Sequence, residues 1–108
     1  MQIFSWNCRG LGSPRTVSSL KYLVRVYKPN VLCLCETIST SNKTEELKYG
    51  LGFDSCFTVN KQERSGGLVL YWKSSINCSI TNYSANHIDN EVTENNKEKW
   101  RLLIIGLY

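Results

Sequence analysis

Two side chains able to do polar chemistry stand where apolar runs stop: Asn7, after Gln2-Ile3-Phe4-Ser5-Trp6, and Glu36, after Val31-Leu32-Cys33-Leu34-Cys35. On position alone both have plain readings. A carboxylate that closes an apolar strand is usually just solvated, and an Asn after a strand is a common turn former. A second kind of chemistry comes from charge. Arg9, Arg15, Lys21, Arg25 and Lys28 all precede the first acid, Glu36, in a chain of net charge +4. Such a field favours a polyanionic partner such as nucleic acid, and a solvated basic helix face without a partner accounts for it equally well.

Cysteine chemistry points elsewhere. The five residues Cys8, Cys33, Cys35, Cys56 and Cys78 are odd in number, include one C-x-C and no C-x-x-C, and sit among apolar neighbours. They make neither a zinc ribbon nor a disulfide framework and read as buried, reduced thiols of an intracellular protein. Met1 to Trp6 is too short and polar for a signal peptide, and no apolar run approaches the roughly 20 residues that span a bilayer. The expectation is a soluble, unsecreted chain without membrane contact, its residence in nucleus or cytoplasm left open.

The elements that must position these groups follow from periodicity. Residues 2–6 form a short strand, and Arg9-Gly10-Leu11-Gly12-Ser13-Pro14 is loop chemistry. Val17, Leu20, Val24 and Tyr27 recur at i, i+3, i+7 and i+10, which predicts a helix over 16–28 that Pro29-Asn30 stops. The uninterrupted apolar run 31–35 is a strand covered on both faces. Strand, helix and strand within about 36 residues suit a right-handed crossover, so both strand ends, Asn7 and Glu36, emerge on one edge, where open α/β sheets bind ligands.

Downstream, Thr44 to Tyr49 reads as a short helix ended by Gly50 and Gly52, and Phe53 to Val59 as a strand. The runs 67–72, 76–83, 87–92 and 100–108 read as an antiparallel meander, with Glu94 to Lys99 a charged turn. The last run, Leu102 to Tyr108, is the most apolar of all and reads as a central strand, so the 108 residues are taken as one partial domain, truncated inside that strand. Trp6, Trp72 and Trp100 are expected as core or interface anchors rather than base-stacking platforms.

Three segments carry a family resemblance. Trp6-Asn7-Cys8-Arg9-Gly10-Leu11-Gly12, then Lys28-Pro29-Asn30-Val31-Leu32-Cys33-Leu34-Cys35-Glu36-Thr37, then Arg64-Ser65-Gly66-Gly67-Leu68-Val69-Leu70-Tyr71-Trp72-Lys73 together resemble the endonuclease/exonuclease/phosphatase family. Their wording is nearest to the endonuclease domain of plant LINE-type, non-LTR retrotransposons, and Tyr83-Ser84-Ala85-Asn86-His87-Ile88-Asp89 before Trp100-Arg101 keeps the same order. The resemblance implies an α/β fold, the N-terminal part of a four-layer sandwich of two mixed sheets flanked by helices. It also implies Mg²⁺-dependent phosphodiester or phosphate ester hydrolysis. Carried over by position, Asn7 matches a catalytic first-strand Asn, Glu36 a metal-binding Glu, and Tyr108 an active-site Tyr near the phosphate. Such a carboxylate suits Mg²⁺, a hard cation that keeps several waters around one or two protein carboxylates.

Departures limit what the resemblance implies. Where several family members place an acid two residues after the Asn, this chain has Arg9, a cation suited to phosphate; Arg15 is the second candidate for nucleic-acid contact. The family's Gly-Asp-Phe-Asn, later Asp and terminal Ser-Asp-His have no counterpart in the chain. His87 is not assigned as the base because its context differs, and Ser65-Gly66-Gly67 reads as a hairpin turn rather than a phosphate loop. The leading expectation is therefore a truncated Mg²⁺-dependent DNA endonuclease of retrotransposon origin, inactive as this polypeptide. A non-catalytic nucleic-acid-binding remnant and a small-molecule or lipid phosphatase branch of the same fold are the alternatives.

Overall fold

The computed structural model describes residues 1–38, 41–59, 67–95 and 97–106. It begins as expected with a crossover: β1 (Ile3–Asn7), α1 (Pro14–Tyr27) and β2 (Val31–Cys35), the two strands pairing in parallel with Asn7 opposite Cys35. Pro14 opens α1 at its first turn, where a missing N–H costs nothing. Lys28 closes it in the left-handed conformation, its N–H donating to the Val24 carbonyl at 2.8 Å. Leu20 and Val24 are the buried residues of the predicted stripe.

The second helix, α2 (Ser41–Leu51), runs longer than Thr44 to Tyr49, and Gly50 lies inside it. Gly52 stops it. At φ +80° its N–H donates to the Tyr49 carbonyl while that of Phe53 reaches Lys48, the paired bonds of a Schellman motif. The next strand, β3 (Ser55–Val59), starts two residues later than the alternation indicated, because Asp54 turns to accept the Ser74 N–H at 2.6 Å.

One topological expectation fails. β4 (Leu68–Trp72) does not open a meander with the strands after it; it lies between β2 and β3, antiparallel to both, in the order β1-β2-β4-β3. Its composition explains the place, since Leu68, Val69, Leu70 and Tyr71 are all buried and need cover on both faces. The meander is β5 (Ile76–Ser84), β6 (His87–Glu94) and β7 (Lys99–Ile105), a second and antiparallel sheet among the described residues.

The layers stack as helices, mixed sheet, second sheet. Leu20, Val24, Leu32, Leu34, Phe53, Val69 and Tyr71 fill the space under the helices. Val31, Cys33, Leu68, Leu70, Ile76, Ile88 and Val92 fill the space between the sheets. The α/β sandwich expected from the sequence is thus present. Among the described residues β7 pairs with β6 alone, and Leu103 and Ile105, on its outer face, are each 55% exposed. Trp6 and Trp72 pack against the two cores, whereas Trp100 is exposed beside Met1 and Ile3. All five cysteines are free; burial first pushes Cys33 up to about 12 and Cys78 to about 11, so these stay neutral thiols. No helix among the described residues is long and apolar enough to cross a membrane.

Candidate functional site

The carboxyl ends of β1 and β2 form one edge because the loop after β1 is stitched onto the end of β2. The N–H groups of Cys8, Gly10 and Leu11 donate to the carbonyls of Cys35, Glu36 and Thr37 at 3.2, 2.6 and 2.9 Å. To make these bonds the backbone turns through rarely used conformations. Arg9 (φ 50°), Gly10 (φ 101°), Glu36 (φ 53°), Ile38 (φ 47°) and Gly67 (φ 100°) all have positive φ at this edge. For a β-branched residue such as Ile38 that is a genuine outlier, and each non-glycine instance costs of order 1–3 kcal/mol. Strain so concentrated is a mark of a functional site.

Gly67 shows how tight the edge is. A Cβ there would stand 2.4 Å from the Thr37 hydroxyl oxygen, and the Gly67 carbonyl already accepts the Thr37 N–H at 3.4 Å. Only glycine satisfies both the angle and the space. Ser65 and Gly66, read as part of a hairpin turn, lie outside the described residues, although β3 and β4 do pair as a hairpin around them.

Asn7 and Glu36 are therefore neighbours, offset by one residue across paired strands that run about 4.8 Å apart. The Asn7 side-chain oxygen accepts the Arg9 N–H at 3.2 Å, an Asx turn that leaves its two amide hydrogens for other acceptors. The Glu36 side chain is half-buried and makes no hydrogen bond or ion pair among the described residues. Burial raises the thiols of Cys8 and Cys35, with Glu36 nearby adding to the effect, so neither supplies a thiolate.

A cleft opens beside this edge. Ile3, Ser5, Cys33 and Cys35 of the first sheet face Leu102 to Ile105 of β7 across about 430 Å³. At the far end of the same cleft, Met1 meets Glu94 and Trp100. β7 consequently runs in the same sense as β1, and its carboxyl end opens on the Asn7–Glu36 edge. Sequence periodicity gave no sign of that third strand end, since the pairing of separate sheets is not written in either run.

Of the residues singled out from the sequence, Asn7, Arg9 and Glu36 are brought together. Arg15 lies in the first turn of α1, which starts at the same edge, and both arginines are exposed. Tyr108 lies outside the described residues. His87, opposite Ile105 at the carboxyl end of β7, is engaged within the β5–β6 hairpin, where its Nδ1 hydrogen-bonds the Ser84 hydroxyl, and it belongs to the outward-facing positions of β6. Thr37 is the residue that sequence reading missed, fully buried behind Glu36, and the Gly67 that must make room for it was the available signal.

A divalent cation is the group that the resemblance implies. No cluster of three His, Cys, Asp or Glu able to hold a metal occurs among the described residues. The edge does offer one carboxylate unpaired among the described residues and one amide a residue out of register with it, a donor set that fits a hard, largely hydrated cation and not a caged one.

The model of the endonuclease/exonuclease/phosphatase family matches residues 4–108. No curated protein sequence matches the chain significantly. Among solved structures, zebrafish TDP2 complexed with a single-strand DNA product superposes with a TM-score of 0.67 at 23% identity, over 95% of this chain and 44% of that one. The AP endonuclease LMAP of Leishmania major gives 0.66 at 18% identity, over 97% and 40%. The human Nocturnin catalytic domain with bound sulfate gives 0.65 at 16% identity, over 95% and 48%. At such identities the likeness is one of fold, and the chain spans less than half the length of each.

Proposed function

This chain belongs to the endonuclease/exonuclease/phosphatase family, and on that premise we propose that it derives from a Mg²⁺-dependent DNA endonuclease of LINE-type retrotransposon origin. The observation that carries the proposal is the convergence of Asn7 and Glu36 on one strained edge at the mouth of a cleft between two sheets. The wording of the segments Trp6 to Gly12 and Arg64 to Lys73 favours the retroelement branch over phosphatases of small molecules or lipids.

Glu36 would hold the cation, which when bound neutralises phosphate charge and acidifies water. The free amide hydrogens of Asn7 suit a phosphate oxygen, and Arg9 and Arg15, exposed at the same edge, suit the flanking phosphates. What the edge lacks is a base. The family's Gly-Asp-Phe-Asn, later Asp and terminal Ser-Asp-His have no counterpart in the chain, and general bases are worth about 10² to 10⁴ in rate. The 108-residue chain on its own therefore binds metal and DNA and does not hydrolyse.

Titration calorimetry with Mg²⁺ or Mn²⁺, paired with nicking of supercoiled plasmid, tests this. We expect weak metal binding that Glu36→Ala abolishes and no nicking by either form. Metal binding indifferent to Glu36→Ala overturns the site. Nicking that depends on Glu36 overturns the inactivity and keeps the nuclease.

A further inference from the structure

The basic third of the sequence divides in the fold. Arg9 and Arg15 stay at the Asn7–Glu36 edge, while Lys21, Arg25 and Lys28 follow α1 to the opposite end of the first sheet. There they meet Lys73, which leaves β4 just after Trp72, the partner of Val31. With Val24, Gly50 and Leu51 these four cations line a groove of about 580 Å³ between α1 and the carboxyl end of α2, and among the described residues no Asp or Glu lines it.

Lys73 is already used. Its ammonium donates to the Gly52 carbonyl at 2.5 Å and sits 4.8 Å from the centre of the Phe53 ring. The other three are exposed and form no ion pair among the described residues; Arg25 only touches the Tyr22 ring, 5.8 Å away. Lys21 and Arg25, at i and i+4, share one helical stripe, where like charges destabilise a helix by a few tenths of a kcal/mol per pair, and Lys28, the left-handed cap residue, lines the same groove. The carboxyl end of α1 asks for a single cation in its last turn, which Arg25 provides. Lys21 and Lys28 on either side of it add like charge that an anion lying between them would relieve.

We infer that this groove is a second phosphodiester-backbone site, remote from the Asn7–Glu36 edge and independent of hydrolysis. Length and shape choose the ligand. From Lys21 to Lys28 the chain advances roughly 10 Å, too long for one phosphate and enough for at least two successive phosphates of a strand, whose axial rise is about 3.4 Å per nucleotide and whose separation through space is greater. The concave floor of Gly50 and Leu51 admits a strand, whereas a bilayer surface is flat. Gly50 leaves room against Lys21, whose Cε lies 3.3 Å from where a Cβ would stand.

The test is anisotropy of a labelled DNA duplex titrated with the full chain in EDTA, from 50 to 200 mM salt. EDTA removes any metal contribution, so failure at Glu36 does not affect the result. The triple variant Lys21→Gln/Arg25→Gln/Lys28→Gln should bind at least tenfold more weakly, with the slope of log affinity against log salt flattened by up to about 2.7, near 0.9 per lost contact. Gly50→Glu, which sets a carboxylate against Lys21 in a helix that favours Glu over Gly, should weaken binding as well. Lys21→Arg/Lys28→Arg should keep it. Unchanged affinity and slope in both charge-altering variants overturn the inference, as does loss of binding in the arginine variant, which would indicate packing rather than charge. Pyrophosphate that displaces DNA as well as unlabelled duplex does, phosphate for phosphate, also overturns it, and so does loss of phosphatidylserine vesicle binding alone.

Discussion

In the first sheet, β2 and β4 each have a strand on either side, helices above and the second sheet below. Val31, Leu32, Leu34, Leu68, Leu70 and Tyr71 are without solvent contact there. In the second sheet the Leu102 to Ile105 half of β7 is just as apolar but, among the described residues, has one neighbouring strand and one covered face, so that Leu102 and Ile104 pack inward while Leu103 and Ile105 meet water. An apolar run thus reports how much cover a strand can use. It does not report how much it receives. Contiguous exposed apolar surface of this kind marks an interaction face or a tendency to associate.

The sharpest way to break this comparison is to cut the same side chain from each sheet. Leu34→Ala removes a fully buried leucine beneath the helices, and a substitution of this kind costs about 2–5 kcal/mol, a large fraction of the 5–15 kcal/mol that a whole domain has to spare. Leu103→Ala on the open face of β7 should change stability by no more than about 0.5 kcal/mol. Urea unfolding of both variants checks the pair. Equal losses would mean that the outer face of β7 is covered in solution after all, and concentration-dependent midpoints would then identify a second copy as the cover.

Turns sharpen it next. Gly67, entering β4, has both a positive φ and the Thr37 hydroxyl in the way of any Cβ, so Gly67→Ala should cost about 2 kcal/mol or more. Asn95, in the turn between β6 and β7, has φ 53° as well, but Asn accepts that conformation and the surface there is open. Asn95→Gly should stay within about 0.5 kcal/mol of the parent. Thermal unfolding resolves the two.

How far the sequence disclosed this molecule follows from the range of each signal. The crossover was legible because its evidence is local: an amphipathic stripe, Pro14 and Pro29 as punctuation, and an unbroken run from Val31 to Cys35. Asn7 and Glu36 inherit their shared edge from it. The place of β4 was not legible, since a buried strand looks alike whichever sheet takes it, and pairing partners 33 to 41 residues away leave no periodic trace. Lys73 joins Lys21, Arg25 and Lys28 only through that pairing. The positive φ of Glu36 and Ile38 was hidden for another reason: neither type favours the conformation, and the three bonds from residues 8, 10 and 11 impose it against local preference.

The smallest expected effect lies on the open face of the second sheet, where polar groups do what cover does elsewhere. Arg101 on β7 grips Asp89 on β6 with two hydrogen bonds, Nε to Oδ1 at 3.0 Å and Nη2 to Oδ2 at 2.7 Å. Hydrogen bonding to Arg101 first, and its charge and that of His87 after, hold the Asp89 carboxyl below the usual carboxylate range. A carboxyl lowered in the folded state adds stability above its unfolded value, near pH 4, and loses that stability as pH falls through the folded value. The pair is at the surface and screened by salt, so its worth at neutral pH is slight. Arg101→Gln should let the Asp89 titration, followed by carboxyl-resolved NMR, move up toward the ordinary range, and the variant should be slightly less stable than the parent, by a constant amount, above about pH 5 and converge with it as pH falls below the folded value. An Asp89 midpoint that ignores Arg101→Gln would show that the second sheet holds its edge strand by the inward contacts of Leu102 and Ile104 alone.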